Sequence, residues 1–126
     1  MRDRRSTRVG RAGEFFAAYK LQMADVEVHH HDAAFDLIAI LPSGKMLRVE
    51  VKTASSPRHS RRRMYGFQMG GSKADLFVFA VLDVGLIRAL RPCSIGGRRM
   101  IYFPISEFST ENEAADLAAI LQEDGQ

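Results

Sequence analysis

Residues 35–52 constrain the fold of this chain more than any other stretch. Two short runs rich in Ile, Leu and Val flank the turn signal Pro42-Ser43-Gly44, and this pattern predicts a β-hairpin. With a three-residue loop and Gly44 in the left-handed conformation, Leu41 pairs with Lys45. That register places Asp36 directly opposite Glu50.

The two faces of this hairpin differ in chemistry. Because residues two apart on a strand share a face, Lys52 lies on the same face as Asp36 and Glu50. The opposite face is apolar and is predicted to face the core. It carries Leu37, Ala39, Leu41, Leu47, Val49 and Val51.

The polar face has two explanations. It is either the solvated side of an antiparallel sheet or a site for a divalent cation. Asp and Glu are poor strand formers, and two carboxylates directly opposite each other repel. Mg²⁺ offsets such charges, since it binds one or two carboxylates together with water and phosphate oxygens; the Val51 carbonyl could add a ligand. Lys52 could orient or deprotonate an attacking water. The pairing penalty favours metal-dependent chemistry.

Asp36 followed by Glu50-Val51-Lys52 resembles the active-site hairpin of the PD-(D/E)xK nuclease superfamily. This superfamily includes type II restriction enzymes, archaeal Holliday-junction resolvases and some intron-encoded homing endonucleases. Phe35 replaces the proline of the motif, at a position that varies widely in the superfamily. The chain looks most similar to the small prokaryotic and phage-type members.

The resemblance implies a restriction-endonuclease-like α/β core, with helices packed on a mixed β-sheet. It also implies a Mg²⁺-dependent endodeoxyribonuclease, a hydrolase of DNA phosphodiester bonds in which Mn²⁺ can replace Mg²⁺. Asp36, Glu50 and the Val51 carbonyl would bind the metal, and Lys52 would position or activate the water. Cutting both strands would require a homodimer or homotetramer, because a chain of this size carries one site.

The pattern over residues 10–23 predicts a helix, since good helix formers follow glycines. Glu14 shares the core-facing side of this helix with Ala17, Ala18 and Leu21. One explanation is that an acid in the first turn complements the helix dipole. The resemblance implies a second role, because Gly10-Arg11-Ala12-Gly13-Glu14 matches a first helix that supplies an additional acid to the metal site.

The basic residues favour an anionic polymer as partner. The formal net charge is +3, and 14 of the 18 basic residues are arginine, which suits bidentate phosphate contacts. A polar loop with four arginines follows Lys52 and is either a DNA contact or a solvated charge run. Predicted DNA contacts are Arg58, Arg61, Arg62, Arg63 and Lys73, with Gln68 as an accessory site residue. Residues 1–9 are predicted to form a flexible basic arm.

The rest of the pattern predicts a single domain over residues 10–126. Strands are expected over residues 25–31, 64–69, 75–83, 86–90 and 100–103, and a closing helix is expected from Ser109 or Thr110. The strand over residues 75–83 is nearly all apolar, which places it at the centre of the sheet. His29 and His31 are interpreted as ordinary strand residues rather than metal ligands, and Cys93 as a packing residue.

The sequence also indicates where such a chain acts. No apolar run approaches the roughly 20 residues of a membrane span, and the first residues are too rich in arginine for a secretory signal. A cytoplasmic protein without a membrane partner is expected. Two other classes remain open: a non-catalytic nucleic-acid-binding module that retains the nuclease fold, and a small assembly or regulatory domain.

Overall fold

The computed structural model describes residues 4–31, 36–58, 63–70 and 73–124. Within these residues, two α-helices and seven strands follow one another along the chain, which confirms the predicted α/β class. In chain order they are α1 (Arg4–Met23), β1 (Glu27–His30), β2 (Leu37–Ile40), β3 (Met46–Ala54), β4 (Met64–Gln68), β5 (Leu76–Val81), β6 (Leu86–Leu90), β7 (Met100–Pro104) and α2 (Thr110–Asp124).

Five of the strands form one mixed sheet in the order β1-β2-β3-β5-β6. Strands β3 and β5 run parallel, and the other neighbours are antiparallel. Every residue of β5 is buried, as predicted, but the central strand is β3 rather than β5. The reason is that the predicted strand over residues 64–69 leaves this sheet: β4 pairs with β7 in a separate two-stranded ribbon.

Apolar side chains cover both faces of the five-stranded sheet. One face packs against α1 and α2, and it includes all six residues of the predicted apolar face of the hairpin. The other face packs under the β4–β7 ribbon. Its core is largely aromatic and comprises Tyr65, Phe67, Phe77, Phe79, Phe103 and Phe108 together with smaller apolar residues.

The register of the β2–β3 hairpin is the predicted one. Leu37 lies opposite Val49, and Leu41 N donates a 2.9 Å hydrogen bond to the Lys45 carbonyl. Gly44 has φ 93°, a left-handed conformation that glycine adopts without a steric cost. Extending this register by one residue places Asp36 opposite Glu50.

Helix α1 begins earlier than predicted. It starts at Arg4 rather than Gly10, so the prediction of a flexible arm is wrong for residues 4–9; residues 1–3 lie outside the described residues. Arginine is a good helix former, and no proline interrupts these residues. The propagating helix therefore extends through them, because each added residue gains one hydrogen bond.

The closing helix α2 agrees with its prediction. Ser109 Oγ accepts a 3.1 Å hydrogen bond from Asn112 N, as a helix cap does. The Arg88 side chain on β6 donates to both Asp116 carboxylate oxygens, at 2.7 and 3.1 Å. These hydrogen bonds are the largest cause of the raised pKa of Arg88. Lys20 Nζ lies 2.9 Å from Glu113 Oε2, which joins α2 to α1.

Two smaller points complete the description. Cys93 is exposed, so its interpretation as a packing residue is wrong; it lies in the surface 3₁₀ turn Pro92–Ser94. Among the described residues, no helix is long and apolar enough to cross a membrane.

Candidate active site

Asp36 is held in place at the point where β2 begins. Its N–H donates to the Val49 carbonyl at 3.1 Å, and its own carbonyl accepts from His31 N at 3.0 Å. Its carboxylate oxygen Oδ2 accepts a 2.8 Å hydrogen bond from Val51 N. A backbone donor of the central strand therefore fixes the carboxylate beside β3.

Glu50 and Lys52 form a half-buried ion pair on one face of β3. The Lys52 Nζ to Glu50 Oε2 distance is 2.8 Å. The Lys52 side chain is 22% exposed, and the Glu50 side chain is 15% exposed. Glu50 Oε2 is nevertheless a buried atom that accepts no well-oriented hydrogen bond from the described residues. At this distance the two charges attract each other. Because the ammonium group is not oriented for a hydrogen bond, Glu50 Oε2 can still accept a hydrogen bond or bind a metal ion.

Glu14 reaches the same region from α1 because the helix approaches β3 very closely. A Cβ atom on Gly13 would lie 1.8 Å from Thr53 Oγ1 and 2.7 Å from Thr53 Cβ, distances that non-bonded atoms do not adopt. Only glycine permits this approach. The Gly13–Thr53 contact therefore fixes how closely the middle of α1 packs against the end of β3.

Glu14, Asp36 and Lys52 meet at an open cavity of about 810 Å³ at the end of β3. Its walls include Glu14, Asp36, Val51, Lys52, Arg58 and Gln68, along with Thr53, Ser55 and Ser56. Glu50 is not on the wall; its carboxylate is paired with Lys52. The structure thus brings most of the predicted site residues to one cavity. Within the described residues, no three of His, Cys, Asp or Glu form a group placed to hold a metal ion.

The predicted DNA contacts are only partly placed. Arg58 lines the cavity, and its backbone N–H donates to the Met64 carbonyl at 2.8 Å, which ties the start of the basic loop to β4. Arg63 and Lys73 are exposed. The predictions for Arg61 and Arg62 lie outside the described residues.

Sequence reasoning missed Tyr102, an aromatic side chain beside this cavity. Tyr102 lies opposite Gly66 in the β4–β7 ribbon and is 48% exposed. A Cβ atom on Gly66 would lie 2.9 Å from the Tyr102 ring and 3.0 Å from Arg58 Nε, so both side chains lie over this glycine. The alternation of β7, in which Ile101 and Phe103 point to the core, was the available signal.

The chain shares the fold of a bacterial homing endonuclease. The match to the solved structure of the bacterial homing endonuclease I-Ssp6803I covers 99% of this chain and 96% of the endonuclease chain. The TM-score is 0.75, and the sequence identity is 18%. No protein-family model matches the chain, and no curated protein matches its sequence. At 18% identity the similarity shows the fold, and the chemistry has to be argued from the site.

Proposed function

We propose that this chain is a Mg²⁺-dependent endodeoxyribonuclease of the PD-(D/E)xK type. The observation that carries the proposal is the meeting of Glu14, Asp36 and Lys52 at one cavity, with the Glu50 carboxylate bound to Lys52 at 2.8 Å. Three elements, α1 and the two strands of the hairpin, supply these groups. The fold shared with a bacterial homing endonuclease also supports an endonuclease function.

The donor set fits a magnesium ion. Mg²⁺ binds through one or two carboxylates and keeps several waters, and Asp36 with Glu50 offers that number. The structural observation in favour is that Glu50 Oε2 is buried and that its contact with Lys52 lacks the orientation of a hydrogen bond. This oxygen therefore keeps capacity for a further ligand. Glu14 and the Val51 carbonyl are proposed as further ligands. The three carboxylates do not form one metal-binding group within the described residues, so Glu14 would have to move closer when the ion binds. Mn²⁺ can replace Mg²⁺.

The bound cation would offset negative charge on the transferring phosphoryl group. The chain's own residues have separate tasks. Asp36 is fixed by the Val51 N–H and so needs no reorganisation during the reaction. Lys52 carries its charge on the cavity wall, where it can orient the attacking water and stabilise charge on the phosphate oxygens. Its attraction to Glu50 holds the ammonium group in that position.

The cavity surroundings suit a DNA backbone. Arg58 lies on the cavity wall, and exposed Tyr102 lies beside it. Arginine forms bidentate bonds with phosphate oxygens, and Gln68 adds an amide that can donate and accept. We propose that these groups contact the DNA strand next to the cut, and that two or four copies of the chain cooperate to cut both strands.

The experiment that tests this function incubates the chain with supercoiled plasmid, branched DNA and single-stranded DNA. We expect nicked or linear products with Mg²⁺ or Mn²⁺ and none with EDTA. A matched Asp36→Asn variant should bind DNA without cutting it. Salt-dependent binding with no turnover under any metal condition would favour the non-catalytic binding module, and absence of DNA binding would favour an assembly domain.

Replacing Glu14 by glutamine is expected to weaken Mg²⁺ binding about tenfold, since one anionic oxygen donor is lost at the cavity while the side-chain size is kept. Isothermal titration with Mg²⁺ or Mn²⁺ measures this without DNA. Glu111→Gln on the exposed start of α2 is the control and should leave the affinity unchanged. Unchanged affinity in Glu14→Gln would exclude this carboxylate from the metal site. The helix-dipole role predicted for it is wrong, because α1 begins at Arg4 and its first turn contains no acidic residue.

Replacing Arg61, Arg62 and Arg63 together by alanine is expected to weaken DNA binding through lost phosphate contacts. If the loop neutralises three phosphates, the slope of log affinity against log salt falls by about 2.7 on duplex DNA. Filter binding across a salt series measures the slope. Replacing Arg98 and Arg99, exposed in the β6–β7 connection, is the control. A full slope in the triple variant would identify the loop as a solvated charge run.

A further inference from the structure

Helix α1 carries large apolar side chains on the face that points away from the core. Phe15, Tyr19 and Met23 are 57%, 56% and 71% exposed. Because they are spaced by four residues, they follow one line along the helix, here called the apolar stripe. The opposite face buries Ala17 and Leu21 completely. A surface helix normally places polar residues opposite its core face, whereas this face of α1 carries three large apolar side chains after Arg11.

The apolar stripe continues to the open edge of the sheet. The Phe15 ring lies 4.8 Å from the His30 ring on β1, the first strand of the sheet order and therefore an edge. Three neighbouring apolar side chains beside an unpaired edge strand are typical of a contact surface rather than of scattered exposed residues. The stripe therefore has the character of an interface.

The charges around the stripe indicate which partner covers it. Exposed Arg8 and Arg11 precede the stripe, and exposed Asp25 and Glu27 follow it. Glu27 also contacts His29 on the same strand, and Asp25 is the acid nearer to the stripe. A second copy of α1 crossing antiparallel about an axis near Tyr19 would bring the basic end of each copy beside the acidic end of the other. A parallel crossing would instead place like charges together. The surface is thus complementary to itself, as a two-fold interface must be.

We infer that the apolar stripe is the interface of a symmetric homodimer in which the α1 helices of two copies cross antiparallel. Glu14 faces the cavity at the end of β3, so the interface and the candidate site use different sides of the helix. The inference does not depend on nuclease activity. If the chain does cut DNA, the interface supplies the second site that a double-strand cut needs.

Sedimentation equilibrium of the full chain tests the dimer. The wild type is expected at twice the chain mass of 14.1 kDa. Tyr19→Asp should raise the dissociation constant by about thirtyfold or more, because a charge replaces a central interface aromatic. Val84→Asp, at an apolar position that is 50% exposed outside α1, is the control and should remain dimeric. A monomeric wild type, or a Tyr19→Asp variant that dimerises normally, would overturn the inference.

Cross-linking tests the antiparallel direction in a Cys93→Ser background, which removes the native thiol. With oxidised glutathione, a mixture of the Phe15→Cys and Met23→Cys chains should form a disulfide-linked dimer, while Phe15→Cys alone should not. In the antiparallel dimer two copies of position 15 lie about 12 Å apart along the axis, beyond the reach of a disulfide. Efficient cross-linking of Phe15→Cys to itself would overturn the proposed direction.

Discussion

Replacing Lys52 by alanine is expected to reduce DNA cleavage at least about a thousandfold while DNA affinity stays nearly unchanged. Lys52 is a cation on the cavity wall and lies 2.8 Å from Glu50, one of the candidate metal ligands. In the proposed mechanism, a group there acts on charge that develops in the transition state. In binding, by contrast, it is one positive charge among several arginines, so its loss changes a multi-phosphate contact little.

A plasmid-nicking assay run beside filter binding separates these two effects. Lys45→Ala, on the exposed turn of the same hairpin, is the matched control and should cut normally. Circular dichroism and thermal melting are needed as well, because Lys52→Ala leaves the half-buried Glu50 carboxylate without its counter-charge. If a folded Lys52→Ala variant still cuts at the wild-type rate, the chemistry does not belong to this site.

The hairpin was predictable because its geometry is local. A three-residue loop with glycine in the left-handed conformation sets the strand register, and the two-residue period then assigns every side chain to a face. From this alone Asp36 falls opposite Glu50, and the six apolar residues face the core. The cap of α2 is equally local, because Ser109 Oγ accepts the hydrogen bond of Asn112 N only three residues later.

The pairing of distant strands was not predictable in this way. The apolar sequence of β5 predicts the centre of a sheet. In the structure β5 is buried because the helices pack on one face of the sheet and the β4–β7 ribbon packs on the other. Nothing local shows that β4 leaves the main sheet or that Tyr102 therefore lies beside Arg58 and Gly66. Such contacts depend on register between segments about 35 residues apart, as with Gly66 and Tyr102.

The position of Glu14 lies between these two cases. Helical periodicity directed it towards the core side, but only the structure shows how it comes to a cavity: α1 approaches β3 at Gly13. The sequence motif contains two glycines, Gly10 and Gly13, and does not distinguish them. In the structure a Cβ atom on Gly10 would meet nothing within 4 Å, whereas one on Gly13 would overlap Thr53.

This difference makes Gly13→Ala a sharp test of the helix position. Alanine gains about 1 kcal/mol of helix propensity over glycine, but its Cβ would lie 1.8 Å from Thr53 Oγ1, so either α1 or β3 must move. Overpacking costs of about 3 kcal/mol are at the upper end of the usual range. We therefore expect a net loss of about 2 kcal/mol of unfolding free energy, or about 8 °C in melting temperature.

Gly10→Ala is the matched control in the same helix, and it should raise the unfolding free energy by about 0.5–1 kcal/mol because the space is open. Adding Thr53→Gly to Gly13→Ala should recover part of the lost stability, since it removes the atoms that the new Cβ meets. Metal titration adds a second readout: a displaced α1 also moves Glu14, so Gly13→Ala should weaken Mg²⁺ binding and Gly10→Ala should not. If both alanines stabilise the chain equally, α1 does not approach β3 through Gly13, and the route by which Glu14 reaches the cavity is wrong.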